Sequence, residues 1–342
     1  MATSSSRSPK MSLRYAITVT ETFRDGAFHR IPIRVASPLR PHSARARFPR
    51  MSTKLRTQLR RIVDTALALI PLVALLTPFT VAHTQGAPTT WDAYAVRYAT
   101  LPQFKVSGLI AGADTSRRLD IAMMVWLLKG PGGRNVVVDA GFTRDDLIAR
   151  WKPTGFLRPD SAVALAGVAA SQVTDVIVSH IHWDHFDGAA LFPNARIWVQ
   201  REEVDHHIDS TGKRINTTID APDAAMLHAL RTAGRLRLVD GDAKEVIPGI
   251  TVYTGGKHTF ASQYASVRLT GGSTAVIASD NVYLYENLTQ HRPIAQTLDS
   301  LSNVAQHARM RALAAERLIV PGHDPAVMER FERVGERVVR IR

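Results

Sequence analysis

The segment Ser179-His180-Ile181-His182-Trp183-Asp184-His185 places four potential metal ligands within six positions, directly after the apolar run Thr174–Val178. Imidazole nitrogens with a carboxylate form a donor set suited to zinc and its first-row neighbours. The His-x-His spacing lets two imidazoles leave a turn on the same side, and Asp184 and His185 then reach a second position beside the first. A surface loop that is merely rich in histidine seldom shows this order after a buried strand. Three later residues extend the set. His258 stands in Gly255-Gly256-Lys257-His258-Thr259, after the apolar stretch Thr251–Thr254. Asp280 ends the run Ala275–Ser279, and His323 stands in Pro321-Gly322-His323-Asp324, after Arg317–Val320. Each of the three read alone is a turn residue. Read with the first motif, they form one constellation at the C-terminal ends of short strands. The chain has no cysteine, so any metal is held by nitrogen and oxygen. Disulfides, thiolate zinc sites, iron–sulfur clusters and a cysteine nucleophile are excluded for the same reason.

The elements that must position these residues can be read from apolar runs and their punctuation. Ile121–Leu128 and Asn135–Asp139 flank Gly130, Pro131, Gly132 and Gly133, which predicts a β-hairpin ending in the turn Asp139-Ala140-Gly141. Helices are expected over Asp145–Trp151 and Ser161–Ala170, and buried strands over Thr174–Ser179 and Arg196–Gln200. Gln200–Leu230 reads as mostly helical with a loop at Thr211–Ile219. Strands are then expected at Arg235–Val239, Thr251–Thr254, Ser266–Leu269 and Ala275–Ser279. A helix over Asp299–Leu313, a strand at Arg317–Val320 and a C-terminal helix after Pro325 complete the pattern. Strands and helices mix in both halves and no 20–50-residue repeat is visible, so the expected class is α/β (α+β).

With 342 residues, 45% of them hydrophobic and 21% charged, the chain can bury a substantial core and is neither fibrous nor wholly disordered. Its net charge of +13 suggests a nucleic-acid partner until the charge is located. Residues 1–90 hold 14 Lys and Arg against 3 Asp and Glu, whereas the other 252 hold 29 against 27. The bulk is close to neutral, so no nucleic-acid partner is expected. Residues 1–50 are rich in Arg, Ser and Pro without periodicity and read as a disordered leader or a mis-assigned start. From Met51, a basic stretch (Lys54, Arg56, Arg60, Arg61) precedes the apolar Thr65–Val81, then small and polar residues follow to Ala87. That layout over 51–86 predicts a secretory signal peptide and a periplasmic or secreted protein. The apolar stretch carries Pro71 and Pro78 and falls short of the ~20 residues that span a bilayer comfortably, so no stable membrane insertion is expected after cleavage. The globular domain is then 87–342.

Over roughly residues 90–335 the sequence resembles the metallo-β-lactamase superfamily. The segments VSHIHWDHFDGAALFPNARIWVQREE, GDAKEVIPGI, GGKHTFASQ and PGHD are most similar to those of the N-acyl-homoserine lactonases and their neighbours. The resemblance implies a four-layer αββα sandwich with two divalent metal ions at one edge, zinc in the first instance, with manganese, iron or cobalt as alternatives. By motif position, His180, His182 and His258 would hold one metal. Asp184, His185 and His323 would hold the other, and Asp280 would bridge them. The implied reaction is hydrolysis of a lactone or ester by a metal-bridging hydroxide, with Asp184 as proton shuttle and quorum quenching as a biological role. Thioester hydrolysis of the glyoxalase II kind, phosphotriester hydrolysis and a mononuclear-iron persulfide dioxygenase remain as alternatives.

Substrate contacts are expected from Trp183 and Phe186 inside the metal loop. The family tyrosine is sought just before the Val-x-Pro-Gly segment, where this chain has Ala243 and Lys244, so Tyr283 and Tyr285 are the candidates to approach the site instead, with packing as the favoured reading of each. His206 and His207 read as surface residues of a helix, His228, His291 and His307 as ordinary positions, and Met123 and Met124 as core. A small-molecule substrate and a homodimer complete the expectations.

Overall fold

The computed structural model describes residues 88–342. The expected leader and signal peptide lie outside the described residues.

The strand run Ile121–Leu128 is apolar at every position because both of its faces are covered, as in the centre of a layered fold. It belongs to β2 (Arg118–Lys129), which pairs antiparallel with β1 (Asp92–Lys105) and with β3 (Asn135–Val138). Side chains alternate between two cores, as a period of two requires. Met123, Val125 and Leu127 join one cluster, and Ala122, Met124, Trp126 and Leu128 join the other. Both methionines are buried, as expected.

The first sheet has eight strands in the order β12-β13-β1-β2-β3-β4-β5-β6, where β4 is Asp175–Ile177, β5 Arg196–Gln200, β6 Leu236–Val239, β12 Glu332–Gly335 and β13 Val338–Ile341. From β3 to β6 its neighbours run parallel. The connections carry helices: α1 (Asp145–Trp151), α2 (Pro159–Leu165), α3 (Trp183–Phe186), α4 (Arg201–His207) and α5 (Ala221–Thr232). The second sheet has five strands in the order β11-β10-β9-β8-β7, with β7 Lys244–Ile247, β8 Ile250–Thr254, β9 Gln263–Arg268, β10 Thr274–Ser279 and β11 Ile319–Pro321.

Three apolar clusters fix the layers. The inter-sheet core joins Trp126, Leu128, Val136 and Val138 to Ile250, Val252, Ala265, Ile277 and Val320. On the outer face of the first sheet, Val125, Val137 and Val176 pack with Leu147 of α1, Val163 of α2 and Leu227 of α5. Beyond the second sheet, Tyr264, Val276 and Ala278 pack with Leu288 of α6 (Tyr285–Thr289) and Met310 of α7 (Ser300–Leu313). The result is helix, sheet, sheet, helix: the αββα sandwich.

Punctuation explains the boundaries. Pro159 opens α2 at a first-turn position where its missing N–H costs nothing, and Gly167 at φ +79° follows its end. The helix expected to reach Ala170 therefore stops at Leu165. The Asp299 side chain accepts from the Ser302 N–H at 2.9 Å and starts α7.

Two expectations change. After Pro325 the chain makes only the short α8 (Val327–Arg330), then the hairpin of β12 (Glu332–Gly335) and β13 (Val338–Ile341). β13 pairs with β1, Ala93 opposite Ile341, and buries Val338, Val339 and Ile341. Covering the edge of β1 outweighs any local helical preference there. The second change is β1 itself, a fourteen-residue strand bent by register shifts at Arg97/Ala99 and Leu101/Phe104, which lies before the first expected hairpin.

Candidate metal centre

Strand ends deliver every residue of the centre. His180 and His182 lie in the loop leaving β4, and Asp184 and His185 fall in the first turn of α3. His258 follows β8, Asp280 follows β10 and His323 follows β11. The fold brings all seven together.

They meet in two groups, His180, His182, His258 and Asp280, and beside them Asp184, His185 and His323. In the first, Nδ1 of His182 lies 3.0 Å from Nε2 of His180 and 3.0 Å from Nε2 of His258. In the second, Oδ2 of Asp184 is 3.5 Å from Nε2 of His185 and 3.6 Å from Nε2 of His323. Asp280 reaches both. Its Oδ2 is 3.4 Å from His258, 3.7 Å from His180 and 3.3 Å from His185, while Oδ1 is 3.0 Å from His323.

A surrounding layer aims the rings. His185 Nδ1 is 2.8 Å from Asp139 Oδ2, His258 Nδ1 2.7 Å from the Gln296 carbonyl and His323 Nδ1 3.0 Å from the Ala122 carbonyl. His180 Nδ1 meets the Ser179 hydroxyl at 2.9 Å. With Nδ1 donating to a carbonyl or carboxylate, the neutral ring turns the lone pair of Nε2 into the site, the arrangement that metal-ligating histidines use. His182 is the exception and offers Nδ1.

Asp139 is the hub of this layer. It is wholly buried at φ +58°, accepts the Ser179 N–H at 2.7 Å, and also accepts the hydroxyls of Ser179 (3.0 Å) and Ser279 (2.8 Å). Glu203, buried on α4, accepts the N–H groups of Ile181 (3.2 Å) and Ala261 (2.7 Å) and so ties the histidine loop to the segment after His258. Sequence reading marked Asp139 only as a turn residue and missed Glu203, because neither has a local signal of what it supports.

Charge and burial conflict in a way that a cation resolves. Burial drives the His180 imidazolium well below its ordinary range, aided by the facing His185, His258 and His182, and it lowers His182 to about 4. Burial acts the same way on His185, but the carboxylates of Asp280, Asp184 and Asp139 outweigh it and raise that ring. His323 is raised for the same reason, by Asp280 and Asp184. Asp280 and Asp184 are lowered despite burial, chiefly by His185. Nε2 of His185 and Oδ1 of Asp280 are buried and make no hydrogen bond. Orphaned donor atoms in a cluster of imidazole lone pairs and carboxylates fit divalent metal ions.

A cleft of about 120 Å³ adjoins the cluster. Leu101, Phe104, Leu109 and Ile121 give it an apolar wall, and Asp184, Asp280, Tyr283 and His323 a polar one. Trp183 lines it and stacks on Trp151 at 5.1 Å. Tyr283 is 4% exposed, with its ring edge-on to His258 and tilted against His323.

Two expected substrate contacts are corrected. Phe186 has no exposed surface and packs in the core beneath α3, since its side chain leaves the helix on the inward face. Tyr285 belongs to the inter-sheet core under the Arg330 guanidinium and lines no part of the cleft. Ala243 and Lys244 are exposed at the start of the outermost strand and line no part of the cleft. His207, expected on the surface, is 2% exposed and faces Glu203, whereas His206 stacks on Phe260.

Residues 123–323 match the family model of the Metallo-beta-lactamase superfamily. The N-acyl homoserine lactonase AttM of Rhizobium radiobacter is 27% identical over 265 residues, which are 71% of this chain and 97% of that protein. The protein of the same name from Rhizobium johnstonii is 27% identical over 181 residues, 51% of this chain and 66% of its own length. A quorum-quenching N-acyl homoserine lactone lactonase of known crystal structure superposes with a TM-score of 0.58 at 19% identity, over 70% of this chain and 94% of that one. Sandwich and cluster together define a metal-dependent hydrolase. The chain belongs to the metallo-beta-lactamase superfamily.

Proposed function

We propose that the protein opens lactones or esters at a dinuclear divalent-metal centre, with N-acyl-homoserine-lactone-like molecules as the substrate class. The observation that carries this reading is the position of Asp280, whose carboxylate lies within 3.0–3.7 Å of nitrogens from both ligand groups. His180, His182 and His258 would hold one ion, Asp184, His185 and His323 the other, and Asp280 both. Zinc suits this donor set, and manganese, iron or cobalt would be accepted by it. When bound, such a pair supplies a Lewis acid for the substrate carbonyl and a water acidified to hydroxide near neutral pH.

The chain's own groups supply the rest. Leu101, Phe104, Leu109 and Trp183 bury the acyl arm and exclude water from the reacting carbonyl. Burial raises the Tyr283 phenol well above its ordinary range, so it stays protonated and donates to the oxygen that gains negative charge. Asp184 stays ionised at neutral pH, can accept a proton within the site and return it to the leaving alkoxide. The names of the AttM relatives favour lactones over other carboxylic esters.

A substrate panel tests the reading: acyl-homoserine lactones of several lengths, an aliphatic lactone, an aryl ester, a thioester and a phosphotriester. Lactone opening that exceeds the other activities is expected. Turnover of thioester or phosphotriester with untouched lactones would overturn it. Quorum quenching in the host, and export through the segment at 51–86, form part of the same proposal. Intact mass of the protein from its native host tests export, which requires a start beyond residue 82.

A further inference from the structure

A second pocket shares the walls Trp151, His182, Trp183 and Gln296 with the substrate cleft but ends on a different chemistry. Its remaining lining includes Thr218, Ile219, Asp220 and Asp223, with Arg150 at the rim. Asp223, in the first turn of α5, is 1% exposed, and neither carboxylate oxygen makes a hydrogen bond. Native proteins seldom leave such a group unpaired, because desolvating it without a partner is costly.

The neighbouring cation does not resolve this. Arg144 stands among four carboxylates, with a terminal nitrogen donating to Asp220 at 2.6 Å and Nε facing Asp187 at 2.9 Å outside hydrogen-bond geometry. It approaches Asp223 only to 3.7 Å and Asp146 to 4.0 Å. Asp187 further accepts the N–H groups of Thr143 and Arg144. One positive charge therefore serves several acids, and it gives Asp223 no hydrogen bond. Burial lifts its carboxyl to about 7 despite Arg144, with Asp187, Asp220 and Asp146 adding to the effect.

We propose that Asp223 is the recognition group of a specificity subsite that takes a hydrogen-bond donor, a hydroxyl, amide N–H or ammonium group, on the acyl arm of the substrate. The two pockets meet at the ligand His182 and at the indole of Trp183. A substrate with its carbonyl at the metal cluster can therefore extend an arm past Trp183 toward Asp223. Binding a donor there would give the buried carboxylate the partner it lacks. A purely apolar arm would remain in the cleft walled by Leu101, Phe104 and Leu109. This inference rests on the hydrolase reading and adds to it a preference for functionalised acyl arms.

The test is binding rather than turnover. Straight-chain acyl hydroxamates of graded length, each ending in an amino, a hydroxyl or a methoxy group, are titrated at pH 8.5 into metal-loaded protein, with affinity followed by tryptophan fluorescence. At one or more lengths, the amino and hydroxyl compounds should bind about tenfold tighter than the methoxy compound, which can only accept. In Asp223→Leu that ratio should fall to about one. Asp223→Asn keeps an acceptor oxygen without the charge, so it should retain the hydroxyl preference and lose most of the amino preference. Equal binding of all three termini to the wild type at every length would overturn the subsite while leaving the hydrolase reading intact. So would a preference that survives in Asp223→Leu. Failure of every hydroxamate to bind, methoxy compounds included, would overturn the metal-centre reading and the subsite with it.

Discussion

Nδ1 of His185 donates to Oδ2 of Asp139 across 2.8 Å, joining the turn that ends β3 to the first turn of α3. The same carboxylate accepts two serine hydroxyls and one backbone N–H, so its position is fixed from four directions. The bond fixes both the tautomer and the angle of a ring whose other nitrogen faces Asp280 and Asp184. Outer partners of this kind sustain the basicity and aim of a ligand.

Asp139→Asn should leave the sandwich folded and weaken metal binding by roughly 10- to 100-fold, the usual cost of losing such a partner. Chelator competition monitored by metal release, with far-ultraviolet circular dichroism as the control for folding, reads this directly. Unchanged affinity would mean that Asp139 serves only the turn.

Among the described residues Asp280 is the one carboxylate in reach of both candidate ligand groups, so Asp280→Asn should do more than weaken a site. Metal content should drop to one ion per chain or fewer, and lactone hydrolysis should fall by more than the ~100-fold that outer partners reach. Elemental analysis after gel filtration measures the first and initial rates the second. Full retention of two ions would contradict the bridging assignment.

Tyr283 lines the cleft, and its phenol lies 3.4 Å from Nδ1 of His258, a nitrogen already held by the Gln296 carbonyl at 2.7 Å. Tyr283→Phe should lower kcat by roughly 10²- to 10³-fold, as loss of one oxyanion donor does elsewhere, with metal content unchanged and KM little altered. A change in KM alone would mark Tyr283 as a wall of the cleft.

His307 on α7 provides a pH test away from the centre. Its Nε2 meets the Asn281 carbonyl at 2.8 Å, Nδ1 has no partner, and burial lowers the ring to about 4. Because the folded value lies below the unfolded ~6.5, the unfolded chain binds the proton more readily between the two. Stability is therefore whole above about 6.5 and is lost as pH falls toward 4, by up to roughly 3 kcal/mol. His307→Gln keeps a donor for Asn281 and cannot titrate. Urea unfolding of the two metal-stripped proteins across that range should show a shallower acid loss in the variant, and parallel curves would exclude the effect.

The clustering of the candidate ligands was legible in the sequence because their signal is local: each is a donor residue in a loop or turn that follows an apolar strand. The hairpin β2–β3, helix α1 and strand β5 were legible for the same reason, since glycine and apolar runs punctuate them. Directions of side chains were not. Phe186 and Tyr285 lie within five residues of ligands yet point into cores, whereas Tyr283, two positions from Tyr285, faces the cleft. The apolar wall comes from Leu101 and Phe104 of β1 and from Leu109 and Ile121, far from the motif in the chain. Only the pairing of β1 with β2 brings them there. Val338–Ile341 likewise shows its strand character only against β1, an edge far away in the chain that local propensity cannot represent. Asp223 carries no motif at all, and its isolation becomes visible only once Arg144 is seen to be occupied by other acids.

In the proposed reaction two metal ions share this centre and lactone hydrolysis depends on both. Titrating zinc into chelator-stripped protein spanning residues 87–342, with bound metal and lactone hydrolysis measured on the same samples, tests it most directly. Binding should saturate at two ions per chain, and most of the activity should appear with the second equivalent. Saturation at one ion, or full activity with one, would contradict the account.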